Sequence, residues 1–387
     1  MVEISERQED MPDLAIGKLL KIAVEDKSVI SLGPGEPDFP AHPQIVEFTK
    51  KFAGVASHYS PVTGRAELKE QIVKKVRKLN KIHTTTRNVF VSCGSQEAMT
   101  LATACTMDVN DQAIVPNPSF MAYIPMFEMF STTPYLLPVS PENNFEFDID
   151  QLQKSITNKT KVIMINTPAN PTGAVWRKST LKAIADIAVD KNLLVFSDEA
   201  YEDIIYDREK HISFASIKGA ENNAVSFFSF SKSYAMCGYR IGYAIGPEKL
   251  IKEMGEAHIY STICAPTLSQ MVATEALKMD RTYIKYMVNE YNRRRKMLYR
   301  RLVELGFKVN KPKGAFYAFP SIKKFSNDSK QFAKDLLLKA KVAVIPGVDF
   351  GPNGEGFVRM SYATDYDLIE EAMNRVSKFL KKYYRNY

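Results

Sequence analysis

A chain of 387 residues exceeds what one simple core organises, so two domains are expected. Apolar content of 45% with 25% charged residues excludes a disordered or fibrous chain, and a net charge of +8 is modest for this length. Four cysteines without a Cys-x-x-Cys pair and only five histidines lead us to expect no metal site, and no apolar run approaches the roughly 18 residues of a spanning helix. Free thiols fit a reducing compartment, and positions 1–10 are polar and acidic without an export signal, so a cytoplasmic protein is expected.

In chain order, positions 14–24 read as a helix and 67–79 as a second. A short strand follows at 88–91, a helix at 96–107 and a strand at 112–115. Three more apolar strands are expected at 161–165, 193–196 and 224–228. Being apolar on both faces, these strands belong in a mostly parallel sheet covered by helices. From position 281 the pattern changes to a long helix with Met287, Tyr291, Leu298, Leu302 and Leu305 at helical spacing. Its knot of Arg293, Arg294, Arg295, Lys296, Arg300 and Arg301 then reads as the wet face, and no nucleic-acid motif accompanies it. Strands at 307–309, 314–319, 342–345 and 357–360 come next, and a last helix is expected to be capped by Thr364. The fold class is α/β. A large domain at 45–280 carries the mostly parallel sheet, and a smaller α+β domain is built from both termini, 1–44 plus 281–387.

The residues with chemistry follow the strands, where such sheets collect ligands. Lys232 lies in Ser229-Phe230-Ser231-Lys232-Ser233 after the run 224–228. It is either a snorkelling strand-end lysine or a desolvated amine with a depressed pKa, suited to forming a Schiff base with an aldehyde. Arg240, between Gly238 and Gly242, is placed like an anion clamp. Asp198 ends the strand at 193–196 and is a solvated loop acid or the partner of a buried cation. Asn170 sits in Asn166-Thr167-Pro168-Ala169-Asn170-Pro171-Thr172-Gly173, where turn chemistry alone is also an explanation. Gly94-Ser95-Gln96 opens a helix after a strand, as a phosphate cup does and as ordinary joints also do.

Taken in order, Gly94-Ser95, Asn117-Pro118-Ser119-Phe120, Asn170-Pro171-Thr172-Gly173, Asp198-Glu199-Ala200-Tyr201, Ser229 to Arg240 and Arg359 form a joint set. With these residues the chain resembles the class I aminotransferases of the fold-type-I pyridoxal-phosphate (PLP) enzymes, nearest to their aspartate/aromatic branch. The likeness runs from Gly33-Pro34-Gly35-Glu36-Pro37-Asp38-Phe39 to Arg359-Met360-Ser361.

The resemblance implies that Lys232 holds PLP and shuttles a proton, and that Asp198 pairs with the pyridinium nitrogen. Tyr201 and Asn170 would bond the ring's phenolic oxygen, and Phe120 would stack on the ring. Gly94, Ser95, Gln96, Ser229 and Arg240 would hold the phosphate. Tyr59 would reach the other subunit's cofactor, which makes a homodimer part of the expectation. Arg359 would grip the substrate α-carboxylate with help from Asn170 and Gly35. Transamination between an amino acid (aromatic, aspartate or aliphatic) and a 2-oxo acid, 2-oxoglutarate first among acceptors, would proceed by ping-pong. No cation is identified for a substrate side chain; Phe39, Tyr123, Met126, Met236 and Tyr260 suggest a greasy pocket instead. Two rivals are a PLP-dependent carbon–sulfur β-lyase on the same fold and a non-catalytic PLP-binding regulator. The early position of Gly33-Pro34-Gly35 leaves no room for a DNA-binding domain before it, which disfavours the regulator.

Overall fold

The computed structural model describes residues 25–384 continuously and scattered positions before them. The helix expected at 14–24 lies largely outside the described residues. Strands β1 (Ile30–Ser31), β2 (Val89–Ser92), β3 (Gln112–Asn117) and β4 (Thr133–Pro138) come first. They are followed by β5 (Thr160–Asn166), β6 (Leu194–Asp198), β7 (Ala224–Ser229) and β8 (Gly242–Ile245). The last four are β9 (Tyr317–Ala318), β10 (Val342–Ala343), β11 (Ile345–Pro346) and β12 (Val358–Ser361).

Seven strands form one sheet in the order β2-β8-β7-β6-β5-β3-β4. Only β8 opposes its neighbours β2 and β7; every other pairing is parallel. The inner strands β5, β6 and β7 are buried on both faces, as their apolar runs require. Strand β4 alternates in exposure and carries Pro134 and Pro138, which an edge strand tolerates because one side of its ladder is unpaired. Register fixes the functional rim. Asn166 pairs with Asp198 at the ends of β5 and β6, while Gly242 faces both Ser92 and Ser229.

A second, smaller assembly uses an antiparallel sheet β11-β12-β9 and the parallel pair β1-β10. The backbone N–H of Ser361 donates to Leu32 at 2.7 Å, joining the two. Its own apolar cluster draws on positions 29–32 and 284–380, with Ala200, Tyr201, Ile204 and Tyr206 added from the loop after β6. Separate clusters cover the two faces of the large sheet.

Three expectations need correction. The long helix Thr282–Glu304 does not turn its whole arginine knot to water: Arg294 and Arg295 are 5% and 1% exposed. Arg294 pairs with Asp38 at 2.8 Å and Glu290 at 2.9 Å, and Arg295 pairs with Asp207 at 2.7 Å. Glu290 lies one turn back on the same helix, while Asp38 and Asp207 lie on distant loops that close over it, so the guanidinium groups are buried as satisfied pairs. The last helix, Tyr366–Tyr383, is capped by Asp365, whose carboxylate accepts from the N–H groups of Asp367 at 2.9 Å and Leu368 at 3.3 Å. An acid at that place also complements the helix dipole, which Thr364 would not. The strand expected at 307–309 reduces to one bridge between Lys308 and Ser321.

Candidate active site

At the carboxyl ends of the parallel strands, a cavity of about 250 Å³ is lined by residues from both assemblies. It gathers Gly35, Ser95, Gln96, Phe120, Asn170 and Asp198. Tyr201, Ser229, Lys232, Arg240 and Arg359 complete the expected set. Gly94 stands just behind, and Tyr59 is 79% exposed and outside the cavity.

Lys232 sits on the short helix Phe230–Ser233 that follows β7. Its Nζ donates to the carbonyl of Gly35 at 2.6 Å. Burial pulls its pKa below the ordinary lysine value; Cys237, Glu36 and Asp198 counter this, while Arg359 adds to it. Asp198, 5% exposed, accepts from the Tyr123 hydroxyl at 2.6 Å and from the N–H of Ala200 at 3.1 Å. Burial pushes its carboxyl above the usual range, and those two hydrogen bonds act in the opposite direction. The hydroxyls of Tyr201 and Tyr317 share a 2.7 Å bond, and burial holds the Tyr201 phenol well above its ordinary value.

Arg359 is buried on β12. Its Nη1 donates to Asn170 Oδ1 at 3.0 Å and its Nη2 to the carbonyl of Gly33 at 2.6 Å. Its guanidinium carbon lies 4.5 Å from the ring centre of Tyr317 and 4.9 Å from that of Phe350. Nε is buried without a hydrogen-bond partner among the described residues. The guanidinium lines the cavity, and Nη1 and Nη2 each keep a second N–H that suits an incoming carboxylate.

The anion-binding end is built from backbone. Gly94 caps the helix Ser95–Thr106 without a side-chain bond, so the first N–H groups of that helix lack an internal acceptor. Arg240 Nη1 and Nη2 donate to the carbonyls of Cys237 at 3.1 Å and Cys93 at 3.3 Å. Gly94 has φ of +84°, and a Cβ there would come within 2.4 Å of Arg240 Nη2. At Gly242 a Cβ would stand 2.5 Å from the Ser95 nitrogen. Both glycines keep this corner open. Behind it, Glu97 accepts from the N–H of Cys93 at 2.6 Å and from the Thr262 hydroxyl at 2.7 Å, with His258 Nε2 at 3.3 Å. Burial alone would raise the Glu97 carboxyl, but these donors, His258 first, bring it down to about 2.

Residues 27–376 match the family model for aminotransferase class I and II. An aspartate aminotransferase of Pyrococcus abyssi is 40% identical over 98% of both chains. An aromatic-amino-acid aminotransferase of Thermococcus litoralis is 39% identical, also over 98% of both. The crystal structure of an aromatic aminotransferase from Pyrococcus horikoshii superposes with a TM-score of 0.90 at 39% identity, covering 95% of this chain and 99% of that one. The chain belongs to the class I and II aminotransferases.

The protein is therefore a PLP-dependent transaminase of fold type I. The donor set of this aminotransferase fits the cofactor: an amine, a buried carboxylate, a cup of helix N–H groups and a guanidinium face one cavity. Two corrections concern the greasy residues. Phe39, Tyr123, Met126, Met236 and Tyr260 do not line the cavity; Met99 and Met121 do, beside Phe120. Tyr123, Met126 and Met236 are core, and Tyr260 is 89% exposed. Sequence reasoning missed Tyr317, Asn166 and the Tyr123 bond to Asp198. Tyr317 lay in a recognised strand, but only the packing of β9 against the large sheet brings it to the cavity. Among the described residues no helix is long and apolar enough to cross a membrane.

Proposed function

We propose that this aminotransferase takes the amino group of an aromatic or aliphatic amino acid, aspartate being a further donor, and passes it to a 2-oxo acid, 2-oxoglutarate first among them. The observation that carries the reading is the meeting of the Lys232 amine, the buried Asp198 carboxylate and the Arg359 guanidinium around one cavity. Bound PLP supplies an aldehyde for an amine and a ring that accepts the electron pair left when a Cα–H bond breaks.

The chain's own residues do the rest. Arg359, steadied by Asn170 and Gly33, binds the α-carboxylate as a fork and fixes the orientation of Cα. Lys232, its ammonium form disfavoured by burial, has a neutral amine available to take the proton from Cα and return it. Asp198 would pair with the ring nitrogen, and Tyr201 and Asn170 would hydrogen-bond the phenolic oxygen. Phe120 would cover the ring face. Gly94, Ser95, Gln96, Ser229 and Arg240 would hold the phosphate.

The donor preference rests on Met99, Met121 and Phe120, and on the cavity's cations (Lys232, Arg240 and Arg359) all having other duties within one chain. Tyr59, exposed and away from its own cavity, supports a homodimer in which it reaches the second copy's phosphate. The apolar cluster drawn mainly from positions 29–32 and 284–380 supports a small domain from 1–44 plus 281–387 beside a large one at 45–280, the two meeting where Phe319, Ile345, Phe350 and Phe357 join a large-sheet cluster. A cytoplasmic location belongs to the same proposal.

Single amino acids mixed with the PLP-loaded protein, without an acceptor, test the reading. The expected result is loss of the cofactor's visible absorbance and about one equivalent of 2-oxo acid per chain, with parallel double-reciprocal plots in the full reaction. Lys232→Ala is expected to abolish both signals and leave the circular dichroism spectrum unchanged. Ammonia and pyruvate released from a thioether amino acid, with no acceptor consumed, would instead establish the lyase.

A further inference from the structure

A second cavity, of about 670 Å³, lies where the chain after β4 meets the small sheet. It is separate from the active site and within the size range of small-molecule sites. Its apolar side is formed by Phe145, Phe319 and Phe357 with Val139 and Val309. The rings of Phe319 and Phe357 stack at 5.0 Å and 4° between planes, and Phe145 meets both edge-on. The two walls are tied by Asn310 Nδ2, which donates to the carbonyl of Pro141 at 2.8 Å.

Lys308, Lys323 and Lys324 also line it, and all three are exposed. Lysines nearby in sequence are matched to acids: Lys311, Lys313, Lys339 and Lys341 each lie within 3.1 Å of a carboxylate. Lys308, Lys323 and Lys324 make no such pair among the described residues. The acid that lines the cavity, Glu142, is held below the usual range first by hydrogen bonds from the Ser140 side chain and its own N–H, with Lys323 and Lys308 adding a smaller pull. One acid against three cations leaves the cavity positive. The Lys323 Nζ stands 5.6 Å from the ring centre of Phe357, so positive charge and aromatic surface are presented together.

We propose that this cavity binds an organic anion with a flat apolar body, its ring against the phenylalanine wall and its acidic group at the three lysines. The site also reaches the substrate clamp. Phe319 meets Phe350 edge-on at 6.1 Å, and Phe350 lies under the Arg359 guanidinium at 4.9 Å. Phe357 and Arg359 are two residues apart on one segment, as are Tyr317 and Phe319 on another. An occupant therefore presses on the neighbours of the residue that reads the substrate carboxylate, and it changes the KM for the amino donor with little effect on kcat.

The probe is 8-anilinonaphthalene-1-sulfonate, titrated by fluorescence into the PLP-loaded protein. One saturable site per chain is expected, with Kd weakened at least tenfold by Lys323→Glu/Lys324→Glu and by Val309→Trp, which fills the cavity. Lys323→Glu/Lys324→Glu should leave transamination unaltered in the absence of probe, whereas Val309→Trp, a built-in occupant, should shift the donor KM with little effect on kcat. Saturating probe should shift the donor KM at least twofold in the wild type and in neither variant. Probe binding unchanged by both substitutions, or competed away by a substrate-like carboxylate at the active site, overturns the site. An unaltered donor KM at saturation overturns the coupling. Because binding is read without turnover, these results stand apart from the outcome of the half-reaction test.

Discussion

Arg359→Lys isolates the fork from the charge. In the structure Nη1 and Nη2 each donate one bond, to Asn170 and Gly33, and each keeps a second N–H for a ligand. A lysine keeps one positive charge but offers a single nitrogen, so a carboxylate loses at least one charge-assisted hydrogen bond and the planar match. Such a bond contributes about 1.5–3 kcal/mol. Asn170 Oδ1 or the Gly33 carbonyl also loses its donor. A loss of about 2–3 kcal/mol in transition-state stabilisation corresponds to a fall in kcat/KM of roughly 30- to 150-fold. The assay is the steady-state rate for one amino donor, run beside a simple amine of similar side chain that lacks the carboxylate. The cofactor's absorbance serves as a control for PLP content. The amine should react equally poorly with both proteins. A fall below about threefold, or an equal fall for the amine, would refute the assignment of Arg359 to the carboxylate.

Removing the donor to Asp198 with Tyr123→Phe withdraws a bond that favours the ionised carboxylate. The acid limb of the kcat/KM profile should move to higher pH, with a loss of about tenfold below neutrality; an unmoved limb would separate Tyr123 from the chemistry. Glu97 has a folded pKa of about 2 against an ordinary 4.5, so its contribution is complete above about pH 4.5 and is lost as pH falls towards 2. At full weight this is roughly 3 kcal/mol, reduced to about 1–2 kcal/mol by partial solvent contact. The melting temperature of Glu97→Gln should therefore fall below wild type at pH 6 and converge with it near pH 2. Gly94→Ala places a side chain at φ of +84° and 2.4 Å from Arg240 Nη2. It should weaken PLP affinity about tenfold, from roughly 1–2 kcal/mol of backbone strain and a displaced guanidinium; equilibrium dialysis measures this, and unchanged affinity would contradict the cup.

The large sheet was legible because its inner strands are apolar on both faces, a pattern that local sequence carries by itself. Strand β4 escaped notice because Pro134 and Pro138 read as turn residues, and an edge position is a property of the assembled sheet. Strand β8 was masked by the glycine and arginine run before it. Lys232, Asp198 and Asn170 were legible as residues at strand ends. Their meeting with Arg359 was carried by the family resemblance alone, since no local pattern tells that the segment bearing β12 reaches the turn holding Asn170. Arg294 and Arg295 show the same limit: helical spacing marks them as outward, but their acids lie on distant loops that only folding brings near. Met99 and Met121 resembled other buried methionines, and nothing local distinguishes a cavity wall from a core.

The bond between Arg359 and Asn170 bridges the two assemblies at the spot proposed for the α-carboxylate. Every amino acid carries that group, whatever its side chain. Each substrate would thus staple the same two pieces together through its shared end, while methionine and phenylalanine surfaces receive the variable end. An enzyme arranged in this way can widen its diet by reshaping one wall without loosening the grip common to all its guests.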